Sequence, residues 1–349
     1  MRVNLKSAAA YLVVRSPVPE LMFRRRAQRR LTCVAYHRIL ETVGPDYPFD
    51  DQVISATPDE FEREIRWLKR NLDVISLPEL LAGWHTPRIL PSRPAIITFD
   101  DGYWDNHAVA WPILKSEGVH GCFFLATGFV GTCRIPWWDQ IACCFKFSRK
   151  TAIASPFGDA DNPYTASPSS RKADTLRFID KFKQTPWTAA LKCLNRLREE
   201  TGVDPAEYSE IPLFMDWNSV REIRDSDMEI GGHTRNHPVL SRVQDDDTLN
   251  EEICGCSEDL RRMAEIDPVA FAYPVGSDRA MSDAADSIIR KSFRISFSYR
   301  HSLAEMDSSQ PFRLPRLHTE YGHDFKAFRL GMARAPADDS KARNGHDHA

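Results

Sequence analysis

The stretch that most constrains the fold of this chain is Pro94 to Tyr103, with the sequence PAIITFDDGY. A short run of apolar and β-branched residues, Ala95 to Phe99, ends there in the adjacent carboxylates Asp100 and Asp101. Such a run, closed by a turn that contains glycine, predicts a buried strand that enters a loop. The carboxylates are then at the carboxyl end of the strand, where catalytic groups collect in α/β proteins.

The two carboxylates do not share a cleft automatically, because adjacent strand residues point to opposite faces of a sheet. If the following turn brings both to one cleft, Asp101 or Asp100 can bind a metal ion while the other stays free. Taken alone the pair is a weak signal, since an aspartate at a strand end more often caps the next helix.

Further segments predict a parallel α/β unit around this strand. Asp105 to Glu117 has the pattern of a helix that ends at Gly118, and Gly121 to Thr127 is a second apolar run. A strand, a helix and a strand in this order form a parallel βαβ unit. Upstream, Leu31 to Ile39 also begins as a strand, and His37 stands at its end.

The pattern changes between Gly128 and about Phe214. Helix-like runs there flank a loop rich in Pro, Ser and Asp, from Ser155 to Ser170. We interpret residues 128–214 as a helical insertion within one large domain, because strands and helices alternate again after it.

A second motif, Met228 to Leu240, places His233 and His237 four residues apart behind Gly231 and Gly232. Two imidazoles at that spacing on one helical turn face the same side and can bind one metal ion. With one carboxylate of the aspartate pair they make a three-ligand set that leaves positions open for water and substrate.

Charge is distributed unevenly along the 349 residues, although the net charge of −3 and the pI near 6.4 give no sign of nucleic-acid binding. Residues 1–30 contain eight basic side chains and one acidic one, a balance of +7. The apolar part of this segment, Ala8 to Val14, is shorter than the roughly 20 residues that span a bilayer, and we predict neither a signal peptide nor a transmembrane helix.

Two interpretations of residues 1–30 stay open. The segment is either an amphipathic basic helix on an anionic membrane surface or a basic helix packed on the domain. The first interpretation puts five residues on its apolar side: Leu12, Val13, Leu21, Met22 and Phe23.

The cysteines and the C-terminal residues give two further predictions. The eight cysteines lack metal-binding or disulfide spacing, which favours a reducing compartment. Residues 334–349 are polar without an apolar period, and we predict a disordered tail there.

Three motifs, in order, resemble those of the polysaccharide deacetylase family, the carbohydrate esterases with NodB homology. Thr98 to Gly102 (TFDDG) is similar to the first motif and His233 to His237 (HTRNH) to the second. Phe271 to Gly276 (FAYPVG) resembles the FAYPxG variant of the third. The resemblance extends over about residues 31–317.

The resemblance implies that residues 31–333 form an incomplete (β/α)7 barrel with the helical insertion and a site at its C-terminal mouth. It also implies metal-dependent hydrolysis of an N-acetyl or other N-acyl group on an amino sugar. Zinc is the metal we expect, with cobalt, nickel and manganese as alternatives, because a donor set of one Asp and two His accepts several ions.

The same resemblance assigns roles to residues. Asp100 matches the general base, and Asp101, His233 and His237 match the metal ligands. The main-chain N–H of Val275 would bind the oxyanion. Two aromatic residues are further candidates for substrate contacts: Tyr273 and Trp138.

Two departures from the family pattern concern the base and the acid. Ala272 stands where many members have an arginine that orients the base, and Arg316 could supply that charge from another strand. Tyr36-His37 resembles an N-terminal Tyr-His pair of some relatives, so we expect His37 to be the general acid. The alternative acid is His318.

We therefore expect a metal-dependent deacetylase of a polysaccharide or lipid-linked glycan, cytoplasmic or peripheral at the inner face of a membrane through residues 1–30. No nucleic-acid partner is expected. The alternatives are a deacylase of a small soluble substrate and an inactive carbohydrate-binding barrel.

Overall fold

The computed structural model describes residues 16–158, 163–165, 167, 169–306, 311–318 and 324–337. The predictions for residues 1–15 and 338–349, including the placement of Leu12 and Val13, lie outside the described residues. No helix in the described ranges has the length and apolarity needed to cross a bilayer.

The strands and helices alternate along most of the chain. The strands are β1 (Arg30–Tyr36), β2 (Arg38–Ile39), β3 (Ile54–Ala56), β4 (Asp73–Val74), β5 (Pro94–Phe99), β6 (Cys122–Leu125), β7 (Glu229–Gly232), β8 (Ala270–Ala272), β9 (Ile295–Phe297), β10 (Ala304–Glu305) and β11 (Leu317–His318). The α-helices are α1 (Val18–Ala27), α2 (Pro58–Asn71), α3 (Leu77–Gly83), α4 (Trp111–Glu117), α5 (Trp137–Phe147), α6 (Arg171–Gln184), α7 (Trp187–Thr201), α8 (Trp217–Arg224), α9 (Asp246–Ala264), α10 (Asp283–Ser292) and α11 (Phe325–Arg334).

Nine strands of the described residues form the curled sheet of the barrel, and all pairs are parallel except that of β1 with β10. β1 pairs with β5, and β6, β7, β8 and β9 follow in order. The chain before β11 closes the circle, because Leu314 bridges to Phe297 in β9 and β11 pairs with β1. This last junction is irregular, as expected of an incomplete barrel. The predicted α/β barrel is confirmed.

Local sequence explains the elements nearest the site. All six residues of β5 are buried, as a parallel strand covered on both faces requires. Thr57 and Glu60 form a capping box at the start of α2. The predicted helix after the aspartate pair begins with a wider π-helical turn over Asn106–Ala110 and ends at Gly118, whose φ is +62°.

The insertion between β6 and α8 contains three helices, α5, α6 and α7, around a hydrophobic cluster. Phe145, Phe178 and Leu194 are buried in this cluster, one from each helix. Phe49 and Tyr103, which belong to loops of the barrel, are part of the same cluster. The insertion is therefore packed on the carboxyl edge of the barrel.

Helix α1 packs on the outside of the barrel. Phe23 is fully buried and stacks on Trp67 of α2, with ring centroids 5.2 Å apart. Leu21 and Met22 are 70% and 44% exposed. The expectation that Leu21, Met22 and Phe23 share one apolar side is wrong for Phe23, which faces the core while Leu21 and Met22 are exposed.

The C-terminal boundary also differs from the prediction. Arg334 is the last residue of α11, Ala335 is buried, and Ala337 bridges to Leu303. Residues 334–337 thus belong to the folded domain, because backbone pairing and helix packing do not require an apolar sequence period.

Candidate functional site

The candidate site lies at the carboxyl edge of the barrel, in a cleft of about 260 Å³. Loops that follow neighbouring parallel strands converge at this edge. Side chains after five of the strands line the cleft: His37, Asp100, Asp101, His233, Tyr273 and Tyr299. The barrel therefore brings together residues that are far apart in the sequence.

A sharp turn brings both carboxylates of the aspartate pair into the cleft. The φ angles of Asp101 and Gly102 are +74° and +85°, in the left-handed region that glycine tolerates best. A Cβ on Gly102 would also lie 2.9 Å from Cδ2 of Leu125. Asp100 and Asp101 are each only 2% exposed and both line the cleft.

Asp101, His233 and His237 bring three ligand atoms together. The Nε2 atoms of His233 and His237 lie 3.3 and 3.4 Å from Oδ1 of Asp101. The three residues are buried, and their ligand atoms lie within 4.8 Å of one another. Ligand atoms of a tetrahedral zinc site are roughly 3.3–3.6 Å apart, given metal–ligand distances of about 2.0–2.2 Å.

Hydrogen bonding around His233 tests whether this set fits a cation. Its Nδ1 donates to the carbonyl oxygen of Ala272 at 2.7 Å, so in the neutral ring Nε2 presents a lone pair to Asp101. Oδ1 of Asp101 is buried and accepts no hydrogen bond from the described residues. Burial lowers the pKa of His233, but Asp100 and Asp101 outweigh it and raise this pKa. The site thus favours positive charge between His233 and Asp101, either as a proton or as a divalent ion, and the residues fit such an ion.

Burial and charge act against each other on the pKa values of these ligands. Burial raises the pKa of Asp101, but His237 and His233 outweigh it and hold this pKa well below its usual range. Burial lowers the pKa of His237 to about 3, against the opposing effect of Asp101. At neutral pH an ionised Asp101 and a neutral His237 are the forms that metal ligands require.

The segment from His233 to His237 is a loop and not the helical turn that we predicted. Thr234 and His237 have φ angles of +65° and +56°, which an α-helix does not allow. The loop is held by Gly128, whose N–H donates to the Arg235 carbonyl at 2.9 Å, and by the Thr234 hydroxyl, which accepts from the His237 N–H at 3.0 Å. These contacts direct both imidazoles to Asp101.

Arg316 is the direct partner of Asp100. It lies in the chain just before β11 and donates to both carboxylate oxygens. Burial raises the pKa of Asp100, but Arg316 and His233 overcome it and lower the pKa below its ordinary value. Arg316 thus supplies, from the segment just before β11, the positive charge beside Asp100 that Ala272 of the third motif cannot supply.

The two candidate acids lie on either side of Tyr299. The ring of His37 meets Tyr299 edge-on at 5.5 Å, and the ring of His318 stacks on it at 4.5 Å. His37 lines the cleft and His318 does not. Burial and the neighbouring His301 lower the pKa of His318 to about 4.

The remaining predicted residues have different surroundings. Val275 has a φ of +61°, and its N–H meets no acceptor among the described residues. The ring of Tyr273 lines the cleft, but its hydroxyl donates to Asp286 at 2.5 Å, so only the ring is available to a ligand. The ring of Trp138 lies 4.6 Å from the ring of His237.

Sequence patterns do not reveal the outer wall of the cleft or one residue of its inner part. The missed residues are Asp50, Gln52, Val53, Ser55, Leu176, Ile179, Lys183 and Tyr299. Tyr299 lies just after β9 (Ile295–Phe297), so the rule that sites lie at strand ends would have found it. The wall residues carry no local signal, because their loop and helix reach the cleft only in the folded chain.

Comparison with known proteins gives a consistent family match. The model of the polysaccharide deacetylase family matches residues 88–291. YxkH of Bacillus subtilis (strain 168), provisionally named a polysaccharide deacetylase, is 36% identical over 73 residues. That match covers 21% of this chain and 26% of YxkH, so the chain spans about a quarter of this curated relative.

Solved structures share the fold at low sequence identity. Streptococcus pyogenes deacetylase PplD, solved in complex with acetate, has a TM-score of 0.55 and 15% identity over 87% of this chain and 98% of its own. IcaB from Ammonifex degensii has a TM-score of 0.56 and 17% identity over 87% and 97%. At these identities the likeness supports the barrel fold alone.

Proposed function

The chain belongs to the polysaccharide deacetylase family, and on that premise we propose that it is a metal-dependent hydrolase that removes an N-acetyl or other N-acyl group from an amino sugar of a glycan. The observation that carries the proposal is the buried set of Asp101, His233 and His237 beside Asp100. Oδ1 of Asp101 is buried, faces two imidazoles and accepts no hydrogen bond within the described residues, as expected of an atom that binds a cation.

The metal would be held by Asp101, His233 and His237, with zinc proposed first and cobalt, nickel and manganese as alternatives. A divalent ion supplies Lewis-acid chemistry, since it lowers the pKa of water and polarises an amide carbonyl.

The other residues divide the proton transfers between them. Asp100 takes a proton from the water whose oxygen forms the new bond to the acyl carbon. Arg316 keeps that carboxylate ionised and oriented. The N–H of Val275 donates to the oxygen that gains negative charge. His37 gives a proton to the nitrogen as the C–N bond breaks, which releases a free amine and a carboxylate.

The substrate class follows from the family and from the cleft. A glycan, as a polysaccharide or a lipid-linked sugar, is the substrate that we propose. A small soluble N-acyl compound is the second candidate, because the cleft volume also admits a single sugar. The intact metal set disfavours an inactive binding barrel.

Acetate release from the zinc-loaded full-length protein tests the proposal. We expect release from N-acetylglucosamine oligomers, loss of at least a hundredfold in Asp100→Asn, and no change in the exposed control Asp225→Asn. Equal release from the monosaccharide would favour the small-substrate alternative. No release from either substrate by a protein with stoichiometric zinc would reject the proposed activity.

A further inference from the structure

Helix α6 of the insertion forms one wall of the cleft that the hydrolytic chemistry does not use. Leu176, Ile179 and Lys183 line the cleft at spacings of three and four residues, so they form one stripe on this helix. We propose that this stripe is a subsite for an anionic group attached to the N-acyl sugar. The inference rests on the proposed function and names the class of substrate for the same cleft.

Lys183 supplies the positive charge of the subsite. Among the described residues, its ammonium group has no hydrogen-bond or ion-pair partner. Asp50 and Asp180 act on it only through longer-range electrostatics. Three unused donors on a cation that lines a cleft are available to a ligand, and an anion satisfies them best.

The carboxylate of Asp50 is not an ion-pair partner of Lys183, so it does not replace an anionic ligand there. One of its oxygens accepts from the N–H of Gln52 at 3.0 Å and caps the turn at Asp51–Val53. The main-chain N–H of Asp50 donates to Asp139 at 2.8 Å. Asp50 is thus fixed in the loop wall, and its distance from Lys183 exceeds that of an ion pair.

The carboxylates of Asp100 and Asp101 do not exclude an anion from the cleft. The charge of Asp100 is paired with Arg316, and Asp101 lies between two imidazoles that fit a divalent cation. Neither carboxylate therefore presents an unpaired negative charge to a ligand at the wall. An anionic substituent at Lys183 would then face one further carboxylate of the cleft wall, that of Asp50, which lies beyond ion-pair distance of Lys183.

The apolar residues of the stripe, Leu176 and Ile179, indicate which chemical group is attached next to the anion. Leu176 is 44% exposed at the cleft, and Ile179 beside it is 6% exposed. Trp137 of α5 stacks on Phe182 of α6 at 4.5 Å, which fixes the helix in place. A phosphate ester of the sugar fits this wall, either as a soluble sugar phosphate or as a phosphodiester that continues into an apolar chain.

Binding without turnover tests the subsite. We would load the full-length Asp100→Asn variant with zinc and titrate it with N-acetylglucosamine and with its 1-phosphate. We expect the phosphate ester to bind at least tenfold more tightly. Lys183→Met, added to this background, should reduce the difference to less than twofold, whereas Lys192→Met on the exposed face of α7 should preserve it. Equal affinities in the parent, or a preference that survives Lys183→Met, would overturn the proposal.

Two further experiments are needed. One distinguishes a lipid phosphate from a soluble phosphate, and the other separates the subsite from the proposed function. If a dodecyl phosphodiester of the sugar binds more tightly than the methyl phosphodiester, and Leu176→Ser abolishes this gain in affinity, the anion is a lipid phosphate. Equal binding of both assigns it to a soluble phosphate. If the wild type deacetylates no sugar while the preference that depends on Lys183 is present, the proposed function fails and the subsite stands.

Discussion

Arg316 donates to both carboxylate oxygens of Asp100, at 2.7 and 2.6 Å, in a pair that solvent barely reaches. The two residues are 216 positions apart in the sequence. The planar fork of an arginine fixes the orientation of a carboxylate more firmly than a lysine would. Arg316 also donates to the Thr98 hydroxyl and the Ser298 carbonyl, so the pair links β5 to the loop after β9.

Replacing Arg316 with methionine should damage both stability and activity. The variant leaves the Asp100 carboxylate buried without a partner, which costs about 3–5 kcal/mol of unfolding free energy. Denaturant unfolding measures this loss, and the double variant Arg316→Met, Asp100→Asn should recover most of the stability but no activity. Arg329→Met, which breaks a more exposed pair with Glu20, is the control and should leave acetate release unchanged.

Metal content should follow the Asp101, His233 and His237 set. Elemental analysis of the protein, supplied with zinc during purification, should give about one ion per chain, and His233→Ala with His237→Ala should reduce it below a tenth. The exposed His85→Ala is the matched control. Stoichiometric zinc that persists in the double variant would show that other residues hold the ion.

His37 and His318 should differ in their effect on the rate. His37→Ala removes a cleft imidazole and should lower kcat by about 10²–10⁴-fold, the usual contribution of a general acid. His318→Ala should lower it less than tenfold, because His318 does not line the cleft and instead stacks on Tyr299, which does. A larger loss in His318→Ala than in His37→Ala would reverse the assignment of the acid.

Stability should fall as the pH rises from about 4.5 to about 8, in part because of Glu64. This residue is buried, accepts from the Tyr36 hydroxyl at 2.9 Å, and has its pKa raised by burial to about 8. A raised carboxyl pKa means that the folded state retains a proton that the unfolded chain has lost. The contribution is therefore full below the unfolded pKa near 4.5 and is lost as the pH rises towards 8.

The part of this loss that falls between about pH 6 and pH 8 should be roughly 2–3 kcal/mol, at about 1.4 kcal/mol for each pH unit. Glu64→Gln should remove this part of the pH dependence in denaturant unfolding, whereas Glu199→Gln on the surface of α7 should not. A wild type and a Glu64→Gln variant with parallel profiles would mean that Glu64 is ionised in the folded protein.

We expect the exposed apolar face of helix α1 to contact a membrane surface. Val18, Leu21 and Met22, at helical spacings of three and four, are 40%, 70% and 44% exposed, and Arg25 follows on the same face. We expect the full-length protein to float with vesicles that contain anionic lipid and to be released by salt. The double variant Leu21→Ser, Met22→Ser should bind less, and Ile89→Ser, at another exposed apolar site, should not. Undiminished flotation of the double variant would exclude this face.

Sequence patterns were most informative where a side chain acts within its own segment. The apolar run of β5 predicts a buried strand, and the Thr57 capping box predicts the start of α2, because the contacts involved are local. The resemblance of three motifs pointed to Asp100, Asp101, His233 and His237 for the same reason, since each motif carries its own short pattern. The helical turn expected at His233 to His237 was wrong, because the distant Gly128 donates its N–H to the Arg235 carbonyl and holds this segment as a loop.

The sequence by itself determined the strand ends, the aspartate pair and the two histidines. Only the tertiary structure decided that Arg316 reaches Asp100, that His37 lies in the cleft while His318 lies behind Tyr299, and that Lys183 faces the same space. It also decided that Phe23 points inward while Leu21 points to solvent. The physical reason is that strand pairing and helix packing set distances between residues that the chain separates by up to 216 positions, and no local propensity encodes those distances.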